Sequence, residues 1–200
     1  MNHIEQINRY IACSCVTKRP IFEFISSKIN PNAALQVFPL DDDYSFGILQ
    51  SVVHWEWFVA RCSTLTSRYR YTSDTVFDTF PWPQNPTKKQ IEEVAIQAKA
   101  LRDKRNEMME ERHLTLRQLY RIIDDTPNNP VSEIQAKLDK AVREAYGMSK
   151  DADTLQFLLN LNGRLYEKEK NGEEVQGPGL PNKIKDKSAL VTEDCVQVIG

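Results

Sequence analysis

The chain has 200 residues, 40% hydrophobic and 27% charged, with a formal net charge of −2. That length and balance describe a soluble globular chain with room for one domain or two small ones. The slight acidic excess excludes a uniformly basic coating, so nucleic-acid binding would need a local basic patch, with acidic charge placed elsewhere.

The first 84 residues alternate short β-leaning runs with turns. Tyr10 to Val16, Ile21 to Ile25 and Ala34 to Phe38 read as strands of one sheet, separated by Pro, Asn and Lys-Arg turns. Asp41, Asp42 and Asp43 then supply negative charge to the start of one helix, with Phe46, Leu49, Val53 and Trp57 at helical spacing and an end near Cys62. Next comes Thr66-Ser67-Arg68-Tyr69-Arg70-Tyr71-Thr72. With period two, Thr66, Arg68, Arg70 and Thr72 share one strand face and Ser67, Tyr69 and Tyr71 the other.

After Pro81 and Pro83 the strand signals stop. Thr87 opens a long helix with Ile91, Val94, Ala98, Leu101 and Met108 along one side, and Thr115 to Gln118 is a capping-box pattern before Leu119, Tyr120 and Ile123. Asn129-Pro130 starts a third helix, with Ile134, Leu138, Ala141 and Ala145 facing inward and Gly147 as its stop. Asp151 to Lys170, with Leu155, Leu158, Leu161 and Leu165, makes a fourth. The tail around Gly177-Pro178-Gly179-Leu180-Pro181 is predicted to be irregular and to run along the surface. The fold class expected is α+β: a small partial sheet with a Trp-rich helix over 1–84, then an α-helical bundle and irregular tail over 85–200.

A search for chemistry returns mostly absences. The sequence holds no glycine-rich loop for a phosphate or adenosyl cofactor, no paired His and Glu on a helix, and no nucleophile elbow. Cys13, Cys15, Cys62 and Cys195 show no zinc spacing with His3, His54 and His113; Cys13 and Cys15 would share a strand face and cannot readily pair, so free thiols are expected. Asp41 to Asp43 read as helix N-terminal charge, not a metal site, and His54 beside Trp55 and Trp57 as a packing residue. No catalytic residue and no metal ligand is assigned. No run of about 18 apolar residues occurs and the N-terminus lacks a signal-peptide core, which predicts a cytoplasmic protein without a membrane partner.

The basic residues are more suggestive. Arg68 and Arg70 would lie about 7 Å apart along a strand, close to the spacing of two successive base pairs or phosphates, and a guanidinium fork suits guanine N7 and O6. Lys18 and Arg19 occupy a turn. On pattern alone, a solvated strand face accounts better for Arg68 and Arg70.

Several longer runs are distinctive: Arg9 to Ala12, Lys18 to Phe22, Asp43 to Ser51, His54 to Trp57, Arg70 to Ser73, Phe80 to Pro83, Gly177 to Pro181 and Leu190 to Asp194. Together they resemble the C-terminal part of MmeI-like type II restriction-modification DNA methyltransferases, over nearly the whole chain. The resemblance implies the later part of a target-recognition domain followed by a helical C-terminal domain. It implies double-stranded DNA as the partner, base reading by Ala34, Thr66, Arg68 and Arg70, and phosphate contact by Lys18 and Arg19. Adenine-N6 methylation from S-adenosylmethionine, and cleavage, would belong to methyltransferase and nuclease domains elsewhere in such an enzyme, so no cofactor is expected in this chain. A start inside a domain would leave an edge strand near Tyr10 unpaired and favour self-association. The alternative is a helical module docking onto a methyltransferase or nuclease subunit, with Ala98, Leu101, Ile134 and Leu158 lining an exposed apolar groove.

Overall fold

The computed structural model describes residues 3–65, 68–126 and 128–197. Among these residues, two three-stranded antiparallel sheets and six α-helices form the α+β architecture. In the first sheet β1 (Arg9–Ser14) is central, flanked by β3 (Glu23–Ser26) and β4 (Leu35–Phe38). Tyr10, Ile11, Ala12 and Cys13 are all buried, because β1 is covered on both faces and paired on both edges. The expected unpaired edge near Tyr10 is therefore corrected: Tyr10 pairs with Ile25, and its hydroxyl donates to the Ile29 carbonyl at 2.8 Å.

The run from Tyr10 to Val16 is two strands, not one. At Cys15 the chain bends out of the first sheet and enters β2 (Val16–Thr17), which pairs with β6 (Arg68–Arg70) beside β5 (Ser63–Leu65). Cys15 stitches the sheets together, its N–H donating to the Ala34 carbonyl and its carbonyl accepting from the Tyr71 N–H, each at 2.8 Å. Cys13 is buried and Cys15 half-buried, so they do not lie on one continuous strand face; both are free thiols.

The predicted helix over 43–62 is likewise broken. Ser51 has extended backbone and separates α1 (Asp43–Gln50) from α2 (Val52–Arg61). Its hydroxyl donates to the Ile48 carbonyl at 2.7 Å and accepts from the His54 N–H at 3.4 Å, so one serine ends the first helix and caps the second. Phe46, Leu49, Val53 and Trp57 remain buried because both helices turn their apolar sides into the same core.

The helical part is built around α3 (Lys88–Arg112), against which α1, α4 (Leu116–Asp125) and α5 (Pro130–Ala145) pack, while α6 (Thr154–Lys170) packs on α2. Capping boxes open α3 at Thr87–Gln90 and α4 at Thr115–Gln118, and Asn129 caps α5 with Pro130 in its first turn. Gly47 lets α1 approach α3 closely: a Cβ there would sit 2.6 Å from Val94 Cγ1 and 3.2 Å from Ala98 Cβ. One continuous apolar cluster contains Phe24, Phe46 and Trp57 together with Ala98, Leu101, Leu138 and Leu158. Ala98, Leu101 and Leu158 are thus spent inside the fold, and the exposed groove they were expected to line does not exist; Ile134 is half-buried.

The tail is irregular but does not simply run along the surface. Gly179, Pro181 and Leu190 are buried, and Val196 bridges Ile25 in parallel register, extending the first sheet beyond β3. Thr192 and Asp194 enter a cluster of charges that spacing in sequence did not disclose. Arg9, Asp43 and Arg102 are each about 2% exposed. Asp43 Oδ1 accepts from both Arg9, at 3.0 Å, and Arg102, while Asp194 Oδ2 accepts from Arg102 Nε at 2.7 Å and Asp43 Oδ2 from the Thr192 N–H at 3.1 Å. The two guanidiniums also lie over Phe24 and Phe46. Desolvation alone would raise the Asp194 carboxyl, but hydrogen bonds from Arg102 and Thr192 and the charges of Arg102 and Arg9 hold it well below the usual carboxylate range. The three neighbouring aspartates point to different partners: Asp41 pairs with Lys187, Asp42 caps α1 through the Ser45 N–H, and Asp43 joins the buried cluster.

Candidate nucleic-acid interface

Strand β6 shows the expected alternation in the described residues. Arg68 and Arg70 are exposed and Tyr69 between them is half-buried. Tyr69 is held edge-on by Trp55, with ring centroids 5.9 Å apart, and by Phe58 at 5.6 Å. Those rings come from α2, so the Trp-rich helix supports the strand from behind. Thr66 lies outside the described residues.

A second anchor follows at Tyr71, which is 1% exposed and stacks on Phe58 at 5.3 Å. Its hydroxyl is 2.9 Å from His54 Nε2. Burial pushes the Tyr71 phenol well up, with Cys13 and Asp78 adding to the shift, and pushes the fully enclosed His54 down to about 3. The pair is therefore neutral near pH 7 and serves packing, which is the role expected for His54. It also means that neither group is a candidate base at the surface.

Ala34 and Arg70 are brought together. They line one recess of about 500 Å³ with Gln36, Thr72 and Asp74, across the Cys15 stitch between the sheets. The juxtaposition depends on contacts distant in sequence. Ala34 is exposed in the turn just before β4, and Val16 of β2 is the register partner of Arg70.

Lys18 and Arg19 leave β2 in a turn fixed by Thr17, whose hydroxyl donates to the Arg19 carbonyl at 2.7 Å and accepts the Arg19 N–H at 3.2 Å. Both side chains are exposed. Because Thr17 pairs with Tyr69, this turn leaves the same small sheet that carries Arg68 and Arg70. Arg19 reaches over to Asp124 of α4 at 3.0 Å, with 46% and 57% of the two side chains exposed.

One face of the strand thus presents long forked cations while rings fix it from the other. Residues 17–84 match the family model described as MmeI, target recognition domain. That stretch is similar to the MmeI target recognition domain. The structure of the type IIL restriction-modification enzyme MmeI in complex with DNA aligns with a TM-score of 0.66 and 24% identity, over 80% of this chain and 22% of that one. DNA methyltransferase A of Bacillus subtilis (strain 168) is 32% identical over 133 residues, 62% of this chain and 14% of the relative. The chain thus spans less than a quarter of the length of each of these proteins. The MmeI-like match begins at Thr17 and so takes in Lys18, Arg19, Ala34 and the whole β5–β6 hairpin.

What sequence reasoning missed are Arg9, Arg102 and Arg105. Arg105 is 1% exposed and donates to the Phe22 carbonyl at 3.2 Å and the Tyr120 hydroxyl at 3.2 Å, besides pairing with Glu23 at 3.1 Å. All three arginines act inside the fold. The available signal was weak: arginine at 102 and 105, two positions on the inward side of α3 that Ala98, Leu101 and Met108 share, where an apolar residue would ordinarily stand. Among the described residues no helix is long and apolar enough to cross a membrane.

Proposed function

We propose that this chain is the DNA sequence-recognition and adjoining helical part of a site-specific adenine-N6 DNA methyltransferase of restriction-modification type, without catalysis of its own. In this reading residues 1–84 carry recognition and 85–200 support it. Arg68 and Arg70, with Thr66 and Ala34, read base edges in the major groove, and Lys18 and Arg19 contact phosphates. The observation that carries the reading is the β6 strand, two exposed guanidiniums flanking a tyrosine fixed by Trp55 and Phe58. Direct readout needs forked donors held in register by a rigid element, and this strand supplies them.

S-adenosylmethionine belongs, in this reading, to other domains of such an enzyme. Among the described residues, three recesses beside the sheets are lined without a glycine, the residue that gives a phosphate- or adenosyl-bearing cofactor close backbone approach. This supports assigning methyl transfer to other domains of such an enzyme. Duplexes selected from a random-sequence pool by the purified chain, and by its Arg68→Ala and Arg70→Ala variants, test the reading. The expected result is a defined preferred sequence that changes at one base pair in each variant, at a cost of about 1 to 3 kcal/mol for that pair. Identical preferences in all three proteins would overturn it, and methyl transfer by the purified chain would overturn the non-catalytic assignment.

A further inference from the structure

The Lys18–Arg19 turn does not end at the sheet. Through the 3.0 Å pair between Arg19 and Asp124 it touches α4, in the helical half of the molecule. Helix α4 runs from Leu116 to Asp125, and its orientation is set by burial of Leu119 and Tyr120 against the core. At about 100° per residue, Arg117, Arg121 and Asp124 fall within a narrow band on the exposed side of that helix. Arg117 and Arg121 are exposed. Among the described residues neither makes an ion pair, although Asp124 and Asp125 lie one turn beyond Arg121, whereas Lys99 and Lys104 of α3 are paired with Asp103 and Glu107.

Resting on the DNA-recognition reading, we infer that Arg117 and Arg121 prolong the phosphate-binding track begun by Lys18 and Arg19, so that the duplex lies against α4 as well as against β6. Four residues of helix rise about 6 Å, a little under two phosphate steps of 3.4 Å along one strand. The two guanidiniums can therefore meet phosphates two steps apart on one backbone. Asp124 holds Arg19 at the junction until a phosphate, the stronger partner for a guanidinium fork, replaces it. A chain of net charge −2 can bind a polyanion only through such local concentration of unpaired cations. Contacts of this kind position the duplex and carry no base preference.

The experiment is duplex binding by the full chain, followed by fluorescence anisotropy over a range of salt concentrations on two duplexes of unrelated sequence. Wild type, R117A/R121A, R117K/R121K and R68A/R70A are compared. Two lost phosphate contacts lower the slope of log affinity against log salt by about 1.8, and weaken both duplexes alike by about 10-fold or more at low salt. The lysine pair restores the slope. If R117A/R121A binds with wild-type slope while R68A/R70A loses its preferred sequence, the α4 track is wrong and the recognition reading stands. If wild type shows no salt-sensitive binding to either duplex, both fall.

Discussion

Arginines do opposite work in two regions of this molecule. Around Asp43 and Asp194, Arg9 and Arg102 are sealed from solvent, paired with carboxylates and stacked over phenylalanines. On β6, Arg68 and Arg70 are exposed and make no ion pair among the described residues, and what is rigid is the tyrosine between them. A buried guanidinium paired with carboxylates is closed off from any ligand. An exposed one on a fixed strand keeps its donors for a partner. Placement, not residue type, separates a structural arginine from one whose donors stay available to a partner.

The largest effect that would break this contrast lies in the buried cluster. Asp43→Ala leaves Arg9 and Arg102 without the carboxylate both contact, and stability should fall by about 3 to 5 kcal/mol, read by urea denaturation. A loss near 1 kcal/mol would show that the cluster is wet and that the two regions differ less than their geometry says.

Acid titration sharpens the point. Asp194 is held below its ordinary range, so it contributes stability that is present above about pH 4 and is lost as pH falls toward its folded value. Asp194→Asn should therefore be less stable than wild type at pH 7, with the gap narrowing below pH 4. Asp42 behaves oppositely. Burial, opposed by hydrogen bonds from Ser45 and reinforced by Asp41 and Asp43, pushes it up to about 6. Its ionisation costs stability as pH rises from about 4 to about 6, so Asp42→Asn, which can keep the cap on Ser45, should gain on wild type across that window by about 1 to 3 kcal/mol. His54, pushed down to about 3, must charge on unfolding at acid pH and lowers wild type and variants equally, which is why the difference curves are the quantity to measure. A gap between Asp42→Asn and wild type that stays flat from pH 4 to 7 would contradict the buried-charge account.

How much of this was legible beforehand follows the range of the interactions involved. The exposed arginines of β6, the inward stripe of α3 and the capping box at Thr115 are local patterns within a few residues, and each stands in the structure where the spacing put it. The break at Ser51 was hidden because α1 and α2 share an apolar stripe, and only the serine's two hydrogen bonds separate them. The Cys15 stitch and the Arg9–Asp43–Arg102–Asp194 cluster join residues 19 to 185 positions apart. No periodicity records such partners. That is also why Arg9, inside a recognisable run, gave no hint of its burial, and why the recess shared by Ala34 and Arg70 needed coordinates to be seen.

The smallest expected change in stability is the most discriminating one. Arg68→Ala and Arg70→Ala remove exposed side chains without ion-pair partners among the described residues, so each should alter unfolding free energy by no more than about 0.5 kcal/mol. Tyr69 would keep its contacts with Trp55 and Phe58 and hold the strand in place. Sequence preference in the same proteins should change at one base pair each, whereas Tyr69→Ala should cost stability and blur preference at both arginines together. A variant of Arg70 that unfolds as readily as Asp43→Ala would erase the distinction between the two regions, because the guanidinium would then be a structural element and could not serve as the proposed reader of DNA.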